Sequence, residues 1–347
     1  MDTKSIIKYL REYDGRELKL MEVCGTHTAS IFKSGIRSLI SPKIKLISGP
    51  GCPVCVTPTA FIDKVLEYAA MPGHVVYTFG DMMKVPGTEG SLSDMKGKGI
   101  NAQMMYSPFD VVEKAAADPD TTFVIAAVGF ETTAPVYALT MQELDRRGIR
   151  NVKFVTALKT VIPALAWICE NQEDIDGFIC PGHVSTIIGS HVYEPLAEKY
   201  KKPFVVAGFE AEHILAVIYD IVRQIENGEH RVKNLYTNAV NDDGNTKALQ
   251  TIAKYMEPGP ATWRGLGEIA DSGLYLKPEY AAFDGGSRGL DKDMELPESC
   301  SCASVIVGKI NPNECPMFGT GCTPLHPYGP CMVSAEGACG IWFRSFR

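Results

Sequence analysis

From residue 18 to about residue 220, short apolar runs alternate with amphipathic stretches. Seven runs have strand length: Leu18–Val23, Ile44–Ser48, Val75–Phe79, Phe123–Val128, Val152–Ala157, Gly177–Ile179 and Phe204–Ala207. Between several of them, Phe61–Ala70, Ala134–Arg147 and Glu212–Ile225 place apolar residues at the spacing of a helix face. Such alternation predicts an α/β architecture built on parallel sheet. The runs VIAAV and FVVA are apolar on both faces, as strands buried between two layers must be. The opening segment MDTKSIIKYLREYDGRELKL is charged throughout; it predicts an amphipathic helix and has no apolar core of a signal peptide.

Two short echoes run through this region. Residues 123–131 read FVIAAVGFE and residues 204–210 read FVVAGFE; residues 50–52 read PGC and residues 181–183 read PGH. Each puts a glycine and a reactive side chain just after a strand, where open α/β sheets bind ligands. The echoes predict two similar parallel-sheet α/β units facing a cleft. After about residue 235 the texture changes to NAVNDDGNTKALQ, EPGPATWRGLGEI and FDGGSRGLDKDMELPESC, rich in Gly, Pro and Asp. Regular elements are expected to be sparse there, and a third, loop-rich unit is expected to be held by a metal rather than by a large core.

A chain of 347 residues exceeds one core of ordinary size and predicts two or three domains. The formal net charge of -7 is spread along the chain, so no electrostatic footprint for nucleic acid is present. No run of about 18 apolar residues exists to span a membrane. A cytoplasmic protein, monomeric on its own, is expected. The P-loop, the dinucleotide-binding G-x-G-x-x-G after the first strand, and H-E-x-x-H are all missing, which removes the main signals of nucleotide hydrolysis, Rossmann dehydrogenation and zinc proteolysis.

Eleven cysteines change the picture. In a reducing compartment, clustered cysteines point to metal binding or thiol redox chemistry rather than structural disulfides. Three lie near the N-terminus (Cys24, Cys52, Cys55), two are isolated (Cys169, Cys180), and six crowd the last 48 residues (Cys300, Cys302, Cys315, Cys322, Cys331, Cys339). Cys302, Cys315, Cys322 and Cys339 are separated by 12, 6 and 16 residues across Pro- and Gly-rich loops. Thiolates select zinc or iron–sulfur clusters. Structural zinc sites favour paired C-x2-4-C knuckles; the wide spacing here favours a 4Fe–4S cluster. A zinc site or a set of buried free thiols stays open on spacing alone, as does the choice of four ligands among six cysteines.

Two further motifs sit at strand ends. Gly49-Pro50-Gly51-Cys52-Pro53-Val54-Cys55 follows the strand ending at Ser48 and precedes the helix near Thr59, so Cys52 and Cys55 are expected as a redox pair whose thiols are acidified by a helix start. Half of a zinc knuckle, with Cys24 as third ligand, is the competing reading. In Glu22-Val23-Cys24-Gly25-Thr26-His27-Thr28, Cys24 by itself reads as a buried packing thiol, but beside the C-x-x-C pair at the next strand end it is a candidate thiolate or metal ligand, with His27 expected to help keep it deprotonated. Glu131 in GFETT, His183 in PGHVS, Glu210 in GFE and Asp81 in FGDMM each follow a strand and a glycine, and are candidates to orient a ligand or move protons. Helix capping or turn formation is the bland alternative for each. Cys169 and Cys180 are expected to be packing thiols.

MEVCGTHT, GPGCPVC, VGFETT, CPGHVS and ECPMFGTGCTPLHPYGPCMVSAEGACG occur in order over nearly the whole chain. Together they resemble the HypD family of NiFe-hydrogenase maturation factors. That resemblance implies a 4Fe–4S cluster, a redox-capable cysteine pair, and work with the partners HypC and HypE in building the Fe(CN)2CO group. It implies that Cys24 holds iron together with a cysteine of the HypC-like partner, that Cys52 and Cys55 are the redox pair, and that Cys302, Cys315, Cys322 and Cys339 hold the cluster. Cys331 is set aside because the family pattern at GPCMVS admits a non-cysteine, and Cys300 because it lies two residues from Cys302. Glu131, His183 and Glu210 would line the cleft. Three units are implied: residues 17–132, residues 133–235, and residues 1–16 joined with 236–347 as the iron–sulfur unit. A stand-alone 4Fe–4S-dependent thiol–disulfide oxidoreductase and a zinc-stabilised binding module are the alternatives.

Overall fold

The structure, a computed structural model, describes residues 2–294 and 297–345. Eleven strands are present among them: β1 (Leu18–Glu22), β2 (Ile44–Ser48), β3 (His74–Thr78), β4 (Ala102–Met104), β5 (Thr122–Gly129), β6 (Val152–Lys159), β7 (Gly177–Pro181), β8 (Phe204–Ala207), β9 (Val232–Asn234), β10 (Met256–Trp263) and β11 (Gly267–Leu276). They form two sheets. The first runs β2-β1-β7-β8-β9 and is parallel throughout. The second runs β10-β11-β6-β5-β3-β4, parallel from β6 to β4, with β10 and β11 as an antiparallel hairpin beside β6. The α/β class with two parallel-dominated sheets is as expected. Central β5 is buried from Phe123 onward, whereas edge strand β4 leaves Gln103 and Met104 exposed, as covered and uncovered strands should. Among the described residues, no helix is long and apolar enough to cross a membrane.

Sheet membership departs from the expected division at residues 132 and 133. The chain lays down β1 and β2, leaves to build β3 to β6, and returns to add β7 to β9 beside β1. Leu20–Glu22 pair with Gly177–Ile179, so each sheet draws on both expected units. Apolar periodicity marks a strand but does not name its neighbour. The FVIAAVGFE and FVVAGFE echoes do fall on different sheets, at β5 and β8, whereas PGC and PGH follow β2 and β7 of the same sheet.

Two other expectations change. The N-terminal helix, Thr3–Glu12, is capped by Asp2, whose Oδ1 accepts the Ser5 N–H at 2.8 Å. It buries Ile6 and Leu10 and meets the helix Ala211–Glu226 through an edge-to-face contact of Tyr9 with Tyr219 at 5.0 Å. It therefore covers the first sheet instead of joining the tail. The segment around EPGPATW is also not a loop but β10, which extends the second sheet. Its prolines are tolerated because β10 is an edge strand. The hairpin turns through Gly265 and Gly267, both at positive φ, where a side chain would be strained.

Beyond β11 the longest helix among the described residues is Ala338–Ser345. This tail shares one continuous apolar core with the second sheet. Val124, Val155, Cys52, Cys55, Ile306, Cys302, Cys331 and Cys339 all belong to it.

Candidate metal and thiol redox site

Cys24 and the Cys52–Cys55 pair stand at the carboxyl ends of neighbouring strands β1 and β2. A glycine brings them together. A Cβ on Gly51 would lie 2.5 Å from the Val23 carbonyl carbon and 2.7 Å from the Cys24 Cα, so only hydrogen fits between the two loops. Gly51→Ala is expected to destabilise the fold by about 2–3 kcal/mol, as over-packing against rigid backbone does. A shifted midpoint in urea unfolding measures it, and an unchanged midpoint would refute the packing argument.

Cys52 and Cys55 are disulfide-bonded with Cα atoms 5.3 Å apart. The pair is buried, and the Cys55 N–H donates to Cys52 Sγ at 3.1 Å. The turn holding it ends before the following helix, which starts at Thr59 with Pro58 as its N-cap. The expected acidification by a helix start therefore does not apply to these thiols. Arg264 anchors the turn instead: its Nε and Nη2 donate to the Thr57 carbonyl at 3.2 and 3.0 Å, and its N–H donates to the Val56 carbonyl at 2.9 Å.

Cys24 is the N-cap of the helix Gly25–Lys33 and is partly exposed. Burial of the thiol pushes its pKa up to about 11, opposed by hydrogen bonds from the His27 and Thr26 N–H groups. The His27 imidazole does not assist, contrary to expectation. It turns away to the Gly208 carbonyl, 3.1 Å from Nε2, and full burial pulls its pKa down to about 4. Its backbone N–H, not its ring, faces the sulfur. The sequence reading missed Glu22. Its carboxyl is buried, accepts the Cys24 N–H at 3.1 Å and the Thr28 hydroxyl, and is pushed up to about 7 by burial. An acidic residue at the end of a strand, two positions before Cys24, was the available signal.

The tail completes the site. Gly25 packs against Glu336, whose Cβ lies 2.7 Å from where a Gly25 Cβ would stand. From the second sheet, Asp81 accepts the Ser334 hydroxyl at 3.0 Å and the Ala335 N–H at 2.9 Å. One recess is consequently lined by Gly25, Gly51, Cys52, Cys55, Cys331 and Glu336. Behind it lies a small apolar space lined by Cys300, Cys302, Cys315, Cys322, Cys331 and Cys339. The structure thus brings together the four cysteines that the resemblance selected and also the two set aside. Cys331 borders both spaces. Its sulfur accepts the Cys339 N–H at 3.3 Å, and the Cys339 thiol and N–H together with the Ala338 N–H hold it below the usual thiol value. Burial pushes Cys302 well up.

The other candidates are scattered. Glu131 is buried; one oxygen accepts the Val161 N–H at 2.8 Å, at the start of the helix Val161–Asn171, and the other has no hydrogen-bond partner among the described residues. Burial raises it to about 7. His183 is exposed, with its ring 4.0 Å from Phe209, which also stacks on His27 at 4.8 Å. Glu210 is exposed at the start of the helix Ala211–Glu226. None of the three lines the recess. Cys169 and Cys180 are buried packing thiols, as expected, with burial raising both.

The HypD family model, described as the hydrogenase formation hypA family, matches residues 2–346. This chain belongs to the HypD family of hydrogenase maturation factors. The hydrogenase maturation factor HypD of Rhodobacter capsulatus is 42% identical over 95% of this chain and 89% of its own length. The HypD of Escherichia coli is 39% identical over 98% and 94%, and that of Rhizobium leguminosarum 41% over 93% and 87%. All three matches cover most of both chains, so the HypD likeness extends to the tail as well as to the two sheets.

The donor set of this HypD-family tail fits an iron–sulfur cluster. Six thiols ring an apolar space, and cluster irons each take one thiolate at a corner. Among the described residues no three His, Cys, Asp or Glu side chains are grouped to hold a single ion.

Proposed function

We propose that this maturation factor is a scaffold with a thiol-redox role, assembling and transferring the Fe(CN)2CO group of NiFe-hydrogenases together with HypC-like and HypE-like partners. The observation that carries the reading is that the Cys52–Cys55 disulfide and Cys331 line one recess together with Gly51, which packs on the Cys24 backbone, and that Cys331 also borders the cysteine-lined cavity. Cys24 would hold the iron cargo together with a thiolate of the HypC-like partner; soft thiolates suit that metal better than carboxylates do. Its proton must leave when iron binds, and the Glu22 carboxyl beside the Cys24 backbone, poised near neutrality, is the group placed to store it. Cyanide would arrive from the HypE-like partner. Cys302, Cys315, Cys322 and Cys339 would hold a 4Fe–4S cluster, which when bound supplies single electrons at the back of the recess. Cys52 and Cys55 would exchange two electrons by opening and closing their disulfide.

A stand-alone thiol–disulfide oxidoreductase would use the pair and the cluster but has no task for Cys24, which is why the scaffold reading is preferred. The redox role is tested by thiol labelling in defined redox buffers. The wild type should show a two-electron step that vanishes in Cys52→Ser. Labelling that ignores the buffer would remove the redox role and leave the pair a structural or metal-binding one.

A further inference from the structure

A second polar cavity lies on the other side of the Cys52–Cys55 turn, at the carboxyl end of β6. It encloses about 80 Å³, and it shares no lining residue with the recess. That leaves room for a ligand of only a few heavy atoms. Lys159, the last residue of β6, lines it and is only 3% exposed. Its Nζ donates to the Thr262 carbonyl at 2.6 Å and lies 5.4 Å from the centre of the Trp263 ring. An ammonium group has three N–H donors, so two remain. Among the described residues no carboxylate pairs with it; Asp293, the charge that most favours the ammonium, is engaged by Arg264 at 3.0 Å.

A buried charge without a counter-charge is costly, and here it faces an open cavity. We propose that this cavity binds a small monocarboxylate, with the Lys159 ammonium as its counter-ion. The neighbouring hydroxyls are already engaged, Tyr275 with the Pro260 carbonyl at 2.7 Å and Ser287 with Asp284 at 2.7 Å. Recognition therefore rests on charge rather than on an array of donors. Glu268 and Asp291 line the same cavity and are exposed; they disfavour ligands of higher negative charge. The single lysine matches a single anionic charge.

The linkage to pH follows from burial, which pulls the free Lys159 amine down to about 7. The anion selects the protonated form, so affinity is highest below that value and falls as pH rises through it, by about tenfold per unit once the amine is neutral. The groups facing Lys159 are Glu268, Tyr275 and Asp291 in the cavity and the Asp293–Arg264 pair behind it.

The test titrates the full chain with sodium formate at constant ionic strength, by calorimetry and by NMR of the lysine side chains. For so small a ligand, a Kd on the order of millimolar is the tightest to expect. The expected result is saturable binding at pH 6.5, weakened more than about tenfold at pH 8.5, and lost in Lys159→Met, whose side chain keeps the volume without the charge. The wild type decides even if that variant fails to fold, because formate must raise the titration midpoint of one lysine. Absence of saturable binding at pH 6.5, or undiminished binding in Lys159→Met, overturns the proposal. Neither outcome bears on the cysteine site.

Discussion

Replacing Cys302, Cys315, Cys322 or Cys339 by alanine should empty the protein of cluster iron and acid-labile sulfide and loosen the tail. The physical reason lies in where the thiols sit within that segment. After β11 it has only short helices among the described residues, and its buried centre is a ring of thiols around an apolar space. A cluster there would join four parts of the segment through its thiolates. With it, metal binding and folding of the tail become one equilibrium. Loss of a structural metal belongs among the few single changes that cost more than about 4 kcal/mol, so the thermal transition of the tail should fall steeply or disappear. Cys300→Ala and Cys331→Ala should retain iron near the wild-type level. Cys331 makes this a sharp test, because it borders the same cavity and its sulfur is hydrogen-bonded at the start of the helix Ala338–Ser345. Iron lost in Cys331→Ala and kept in Cys302→Ala would move the fourth ligand to position 331.

The second large effect concerns Cys24→Ala. This variant should keep the tail cluster and the Cys52–Cys55 redox step. Purified with a HypC-like partner, it should lose the additional, non-cluster iron and its CO and CN stretching bands in the infrared. The argument is positional. Cys24 is partly exposed at the mouth of β1, whereas Cys52 and Cys55 are buried and already bonded to each other. The Cys24 thiol, raised to about 11 by burial, stays protonated until a metal displaces the proton. It is therefore a poor spontaneous nucleophile and a suitable metal ligand, the distinction that separates cargo holding from thiol exchange. Bands of wild-type intensity in the Cys24→Ala complex would sink the scaffold role of this residue.

What the sequence determined by itself is local. Strands β1, β2, β3, β5, β6, β7 and β8 were legible because short, mostly apolar runs of strand length alternate with helix-period stretches. Strand β10 was not, because Pro258 and Pro260 look like loop residues until an edge position excuses them. The chemistry-bearing residues Cys24, Cys52, Cys55 and the tail cysteines were likewise visible, since thiols so placed have few other uses. Which of them meet was decided only by the tertiary structure. Nothing in the periodicity of β1 says that it pairs with β7, over 150 residues away in the chain. Nothing in the tail says that Glu336 seats on Gly25 or that Cys331 faces two spaces at once. The directions of side chains were equally out of reach: His27 lies three residues from Cys24, yet its ring is buried against Gly208 and Phe209, while Glu22 takes the place beside the Cys24 backbone. A sequence lists neighbours along one dimension. Proton affinities and ligand sets depend on burial and on the atoms that three-dimensional packing brings within a few ångströms.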